Sequence, residues 1–283
     1  MIEKLNIIIL NWNSAEDVKQ LLESIETSTY KNFRLLLIHN ATDDKSCMEE
    51  IYFEYKEKYE THIIFNEFNL GYAGGNNAGY KYLLEKKKLM GNILILNPDI
   101  TVRPNTIECL VRALNTSSSI GAAMIRTMND NGDKLYDAIR LNGFYQKYIS
   151  CNEEICETDY VAGSCFIIER ELVDQIGLFD ERYFMYWEEV DLSIRIILNG
   201  KKLVSTTKSH IFRKSNSSDR SANAIYFSAR NSKILHAKFK DRFSFRYLLF
   251  YLGSSLLYSL FLSIKIRKLN PFLSFIRGVV SGI

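Results

Sequence analysis

The chain lacks several of the signatures that would settle its chemistry at once. Behind its first apolar run, residues 5–10, the segment Asn11-Trp-Asn-Ser-Ala-Glu-Asp17 holds no glycine, lysine or arginine. A sugar nucleotidylyltransferase needs a glycine-rich, basic phosphate loop at that place and is disfavoured. The one glycine-rich stretch, Asn69-Leu-Gly-Tyr-Ala-Gly-Gly-Asn-Asn-Ala-Gly79, has neither the Gly-x-Gly-x-x-Gly spacing nor the first-strand position of a dinucleotide fingerprint, which argues against a dehydrogenase. The five cysteines, Cys47, Cys109, Cys151, Cys156 and Cys165, are an odd number without a Cys-x-x-Cys pair, and the start Met1-Ile-Glu-Lys lacks a signal peptide's apolar core. The expectation is a protein of a reducing cytosol. There is no internal repeat.

What is present is ordinary globular material. The 283 residues are 47% hydrophobic and 24% charged, enough for one large domain with appendages. Strand-like runs at residues 5–10, 33–38, 62–65, 92–96 and 120–126 alternate with helix-length segments at about 14–28, 46–60, 76–89 and 104–115. This alternation predicts an α/β fold, a doubly wound and mostly parallel central sheet with helices on both faces. Ser14-Ala-Glu-Asp17 resembles a capping box with Asp in the Glu position. Residues 127–158, rich in Asn, Asp and Gly, read as an irregular excursion over a cleft. The polar stretch 214–221 reads as a mobile lid.

The last fifty residues differ in character. Residues 232–283 carry nine Lys/Arg against Asp241 alone, a net of +8 in a chain whose formal charge is +3, which leaves −5 on the remainder. Residues 247–264 hold no charge over about 27 Å of helix, against a hydrocarbon core of about 30 Å. Basic residues flank both ends, and Ser255, Ser259 and Ser263 recur every fourth residue. A helix lying on the cytoplasmic leaflet is favoured over a single span, with packing on the main domain or on a second subunit as the plain alternative. The composition change places a domain boundary between residues 1–235 and a basic, apolar helical tail at 236–283.

Three segments concentrate chemistry. Glu188, Glu189 and Asp191 sit within one helical turn, where like charges cost a few tenths of a kcal/mol per pair unless a cation or a proton-accepting role compensates. The plain alternative is a surface helix with an Asp191–Arg195 ion pair and a buried stripe of Val190, Ile194 and Ile197. Leu94-Ile-Leu-Asn-Pro-Asp-Ile100 places Asp99 at the carboxyl end of a strand, where open α/β sheets bind ligands; otherwise Pro98-Asp99 is only a turn. Magnesium and manganese use few protein carboxylates and fill their shell with water and phosphate oxygens. The glycines and asparagines of residues 69–79 would let backbone approach a ligand. His62 and His236 have no motif around them.

Taken in order, these segments resemble the family 2 glycosyltransferases, most closely their rhamnosyltransferase-like branch, over about residues 5–235. The resemblance rests on Ile7-Ile-Ile-Leu-Asn-Trp-Asn13, His39-Asn-Ala-Thr-Asp-Asp-Lys-Ser46, residues 69–79, Asn97-Pro-Asp99, Gly163-Ser164, Phe179-Asp-Glu, Tyr186-Trp-Glu-Glu-Val-Asp-Leu192, His210 and Ala229-Arg-Asn231. It implies a GT-A-type fold that binds a nucleotide through Asn11, Asn13, His39, Asn69, Gly71, Gly75 and Asn77. It further implies Mg2+ or Mn2+ at Asp99 with His210, acceptor contacts from Gly163, Ser164 and Trp187, and Glu189 as general base supported by Glu188 and Asp191. Two positions depart from the family pattern: His39 replaces an Asp expected to read a pyrimidine, and Glu188-Glu189 replaces Glu-Asp.

The implied activity is inverting, metal-dependent and non-processive, since the Gln-x-x-Arg-Trp motif is absent and Trp12 and Trp187 lie elsewhere. One sugar, with rhamnose a candidate, would pass from a nucleotide-diphosphate sugar to a hydroxyl of a saccharide or lipid-linked saccharide in cell-surface polysaccharide synthesis. The inner membrane face and a second copy of the chain are the expected partners, and nucleic acid is not. The two departures leave a non-catalytic sugar-nucleotide binder as the alternative, which the retained Asp99 and three neighbouring acids oppose.

Overall fold

The computed structural model describes residues 3–86, 90–214 and 221–282. The lid expectation at 214–221 falls mostly outside them. The first half alternates as its hydrophobic pattern demands: β1 (Leu5–Asn11), α1 (Ala15–Glu26), β2 (Phe33–His39), α2 (Lys45–Tyr55), β3 (Thr61–Phe65), α3 (Gly71–Glu85), β4 (Ile93–Leu96), β5 (Ile100–Val102) and α4 (Thr106–Leu114). Every residue of β1 and β2 is buried, because helices cover both faces of the sheet. Ile7 and Ile9 face α1, α2 and α4, while Ile8 faces α3 and the C-terminal helices, the period-two alternation of a strand between two cores.

The second half comprises β6 (Ile120–Asn129), β7 (Lys134–Tyr136), β8 (Ala138–Asn142), β9 (Tyr145–Ile149), β10 (Ile155–Glu157), β11 (Cys165–Ile168), α5 (Arg170–Ile176), α6 (Glu188–Leu198), β12 (Lys202–Arg213), α7 (Ser221–Lys238), α8 (Phe245–Ile266) and α9 (Asn270–Val280). The main sheet runs β10-β12-β6-β11-β4-β1-β2-β3, with β5 on β12 and β7 on β6. Neighbours are parallel among β4, β1, β2 and β3 and between β6 and β12, whereas β11 runs antiparallel between β4 and β6. That insertion brings the start of β11 beside the end of β4, and the site forms there.

Four local expectations change. Residues 71–75 are already helix: Gly75 and Gly79 lie four residues apart on the α3 face that meets the sheet. A Cβ on Gly75 would lie 2.5 Å from Leu10 and one on Gly79 2.7 Å from Ile38, so these glycines serve close helix–sheet contact. Residues 127–158 are strands. Gly143, with φ +56°, occupies the first position of the two-residue β8–β9 turn, where mirror-image hairpin turns take glycine. Fully buried Asp137 anchors this region through Arg126, Lys134 and the Cys151 amide. Cys151 pairs with Cys156 in a disulfide, so the cysteine count loses its value as an argument about compartment. Finally, no capping box forms at α1. Asp44 accepts the Ala15 amide and Asn11 accepts the Ser14 amide instead.

The expected boundary at residue 235 falls inside α7, and Phe243 and Leu248 belong to the main core. Tyr251 stacks on Phe144 and meets Trp187 edge-on. The serine stripe of α8 faces inward: Ser259 and Ser263 are buried, and Ser263 accepts the Phe272 amide of α9. Small residues there let the helices close, so the outward face of α8 is apolar, with Phe250 70% and Leu257 69% exposed.

Gly71 makes a close backbone contact with the segment that leads into α6. Its φ is +70°, and an added Cβ would lie 2.4 Å from the Phe184 carbonyl oxygen. Gly71→Ala should cost about 1–3 kcal/mol, more than Gly132→Ala, whose φ is also positive but whose surroundings are open. Urea denaturation of the two variants measures the difference.

Candidate active site

The site grows from the ends of β4 and β11. The Asn97 amide donates to Ser164 O at 2.9 Å, which ties the Asn97-Pro98-Asp99 turn to Gly163-Ser164. Asp99 is buried, its carboxylate 3.8 Å from Arg213 Nε at the end of β12, and its carbonyl accepts the Lys214 amide. On the other side, Tyr72 of α3 donates its hydroxyl to Gly163 O at 2.6 Å. A Cβ at Gly163 would sit 3.1 Å from that hydroxyl and 3.7 Å from Glu189 Oε1. Glycine there is therefore what lets Tyr72 and Glu189 stand across a narrow gap.

The segment leading into α6 is strained. Phe184, Tyr186 and Trp187 all have positive φ, 63°, 69° and 75°, a conformation that costs a non-glycine residue about 1–3 kcal/mol. Fully buried Asn231 of α7 holds it: its side-chain amide donates to the carbonyls of Tyr183, Met185 and Tyr186, each at 2.8 Å. The result is that Glu188 and Glu189 enter the first turn of α6 pointing into the protein.

A helix N-terminus favours carboxylates, but burial dominates here. Burial and then the charge of Glu189 raise the Glu188 carboxyl well above its usual range. Glu189 is also raised by burial, with its own α6 backbone amide and the Arg213 guanidinium opposing. The pair therefore holds a proton to higher pH than ordinary glutamates. Tyr72 is raised well above its usual value by burial and by Glu188, Glu189 and Asp99, so it stays a phenol donor. Among the described residues, Ser164 Oγ, Glu188 Oε2, Glu189 Oε2 and Arg213 Nε are buried without a hydrogen-bond partner.

The sequence-predicted residues divide. Asp99, Gly163, Ser164, Glu188 and Glu189 come together. Trp187 is buried next to them and lines a cavity of ≈ 350 Å³ with Phe144, Tyr145, Gln146, Tyr148, Tyr186, Ser228 and Tyr251. Asp191 does not face the gap: it is fully buried against Arg195, Lys238 and the Tyr183 hydroxyl, so the ion-pair alternative describes it. Asn77 spends its amide on Phe179 and Glu181, and Gly75 packs on Leu10. Both are corrected from ligand contacts to packing groups.

Asn11 binds Asp44 and Ser14, and His39 binds the Thr42 backbone beside Asp44. Asn69 accepts from Asn40 and the Gly71 amide. These three, with exposed Asn13 at φ 49°, shape the loops at the carboxyl ends of β1 to β3 through polar networks among themselves.

His210 is also corrected. It pairs in register with Arg126, four residues before the Lys214 that meets Asp99, a strand distance of about 13 Å. It alternates with Arg213 across β12, packs edge-on against Phe212, and burial with Arg103 and Arg126 lowers its pKa. Arg103 and Arg126 beside it oppose a further cation there. Among the described residues no group of three His, Cys, Asp or Glu forms a closed metal site. Asp99 alone fits a magnesium or manganese ion of the kind that phosphate oxygens complete. Tyr72 and Arg213 were not singled out from sequence, and Asn231 was noted only within Ala229-Arg-Asn231, without a role. Tyr72 lay inside the glycine run, and only the antiparallel β5–β12 pairing brings Arg213 opposite Ile100, next to Asp99.

A central sheet flanked by helices, with a buried carboxylate just past the end of β4, defines a GT-A-like α/β protein. A solved structure described as GalNAc-T7 with UDP, GalNAc and Mn2+ shares the fold at TM-score 0.69 and 17% identity, over 87% of this chain and 50% of that one. The chain belongs to glycosyl transferase family 2, whose signature matches residues 6–177. It is 28% identical over 202 residues to the low-salt glycan biosynthesis hexosyltransferase Agl10 of Haloferax volcanii, covering 69% of this chain and 62% of that relative. It is 24% identical over 224 residues to the N-acetylglucosaminyl-diphospho-decaprenol L-rhamnosyltransferase of Mycobacterium tuberculosis, covering 69% of this chain and 71% of the relative.

The raised Glu188 carboxyl has a stability consequence. Its folded pKa lies above its unfolded value, so the native state holds an extra proton, and stability is lost as pH rises through the folded pKa. Glu188→Gln should raise the melting temperature at pH 8, and the gain should vanish below the ordinary carboxyl range. Thermal melts across pH check both limbs.

Proposed function

We propose that this protein transfers one sugar, with inversion, from a nucleotide-diphosphate sugar to a hydroxyl of a lipid-linked saccharide, rhamnose being the candidate sugar. The observation that carries the reading is Glu189, its Oε2 buried and unbonded, facing Tyr72 across Gly163 in the pocket that Asp99 closes. Glu189 takes the proton of the acceptor hydroxyl as its oxygen forms the new bond to the anomeric carbon, and the bond from that carbon to the diphosphate breaks on the opposite face. Glu188, keeping its proton, leaves Glu189 as the charged member. Asp99 would hold a divalent ion, which when bound stabilises negative charge on the leaving diphosphate. The relatives' names support this reading, one a hexosyltransferase and one a rhamnosyltransferase with a diphospho-decaprenol acceptor.

The aromatic cavity beside Trp187 suits an acceptor sugar, since ring faces stack on apolar sugar faces. It lies against α8, the one helix among the described residues long and apolar enough to cross a membrane, at about 33 Å. Because the serine stripe is spent on α9, the exposed apolar face of α8 has no polar side to give to water. We read it as resting on the cytoplasmic leaflet, with Arg242, Arg246, Lys265, Arg267 and Lys268 near its ends attracted to anionic headgroups at about 1 kcal/mol each. Lys233 and Lys238 are turned inward, the first to Val279 and Ser281, the second to Asp180 and Asp191.

Glu189→Gln should lower turnover by roughly 10²–10⁴ with donor binding retained, whereas unchanged turnover would remove Glu189 as the base. For the membrane, Phe250→Glu with Phe261→Glu alters only exposed positions. Sedimentation with anionic vesicles should show binding lost in this variant and weakened by salt in the wild type. Equal binding by both would leave α8 to a subunit contact.

A further inference from the structure

Charge balance in the pocket points to one more residue. With Asp99 and Glu189 charged, an entering diphosphate adds further negative charge, and a cation must meet it. Among the described residues the nearby candidates are mostly committed: Lys214 Nζ is held by Asp17 and Gln20, and Arg126 by Asp137. Arg213 is not. Its Nε is buried without a hydrogen bond and stands 3.8 Å from the Asp99 carboxylate, beyond hydrogen-bond reach. Its other electrostatic neighbours include the Glu189 carboxyl and the phenols of Tyr136, Tyr148 and Tyr186. A guanidinium pairs best with a planar or tetrahedral oxyanion, and a carboxylate set too far from the buried Nε to bond is a poor substitute.

We propose that Arg213 is the protein's own contact to the donor diphosphate, its guanidinium turning from Asp99 to the phosphate oxygens when the donor binds. The assignment rests on the reading of the chain as a nucleotide-sugar transferase. Two N–H groups of Arg213 donate to oxygens of the diphosphate, and that contact strengthens as the anomeric carbon–oxygen bond breaks and the departing phosphate gains charge. Asp99 keeps the guanidinium in the pocket in the empty state and is released to meet a divalent ion in the loaded one. The site would thus have two cations for the leaving group, and one of them is built into β12.

Calorimetry with inorganic pyrophosphate, which has no base or sugar to confuse the contact, tests this on the full chain with EDTA and with saturating manganese. Arg213→Ala and Arg213→Gln should each bind pyrophosphate about tenfold or more weakly than wild type in whichever condition wild type binds, and Arg213→Lys should fall between. Asp99→Ala should lose the manganese response while keeping or gaining affinity in EDTA, because the guanidinium no longer has a competing carboxylate. Melting temperatures of the variants establish that they are folded, and two neutral replacements of different length guard against loss of one to misfolding. Wild-type affinity in both Arg213→Ala and Arg213→Gln overturns the assignment alone. If wild type binds neither pyrophosphate nor UDP, GDP or dTDP, with or without manganese, the transferase reading fails and Arg213 with it.

Discussion

Two carboxyl groups on adjacent residues, buried together, cannot both be charged without a large desolvation cost. Most of the architecture around Glu188 and Glu189 follows from that constraint. The pair is set at the start of α6, where backbone amides favour negative charge. It is aimed inward by three residues with positive φ, and the Arg213 guanidinium acts on Glu189. Burial raises both carboxyls, so the pair keeps a proton to higher pH than ordinary glutamates do.

The strain that aims the pair is held from outside the catalytic strands. Asn231 of α7 satisfies three carbonyls of residues 183–186, and Trp187 donates its indole N–H to Ser228 O one turn away. Tyr251 of α8 then packs on Trp187, and Ser263 of α8 caps the start of α9. A continuous chain of contacts therefore runs from the carboxylate pair to the apolar outer face of α8. A helix that composition alone marks as a separate tail is part of the frame of the site.

Much of this was legible in the sequence where one local pattern decides the outcome. The continuous apolar runs of β1 and β2 announce buried parallel strands, and Asn97-Pro98-Asp99 announces a strand-end carboxylate. Legibility ended where the deciding partner is remote. Gly71, Gly75 and Gly79 read as a ligand approach because their reason, contact with Phe184, Leu10 and Ile38 of other elements, is not local. Asn77 looked like a ligand contact until Phe179 and Glu181, a hundred residues on, claimed its amide. His210 followed a motif match, but the β12 register turns it toward Arg103 and Arg126. The hairpin at residues 138–149 was within reach, since Gly143 sits between two short alternating runs. The serine stripe of α8 was visible, but not which way it faced.

The account turns on which carboxyl of the pair keeps its proton, and carbon-13 NMR titration of the Glu188 and Glu189 side-chain carboxyls reads that directly, with Glu188→Gln and Glu189→Gln supplying the assignments. The expected result is that both titrate above the ordinary glutamate range, Glu189 losing its proton first and Glu188 holding its own to higher pH. Two carboxyls titrating together in the ordinary range, or Glu188 ionising first, would contradict it.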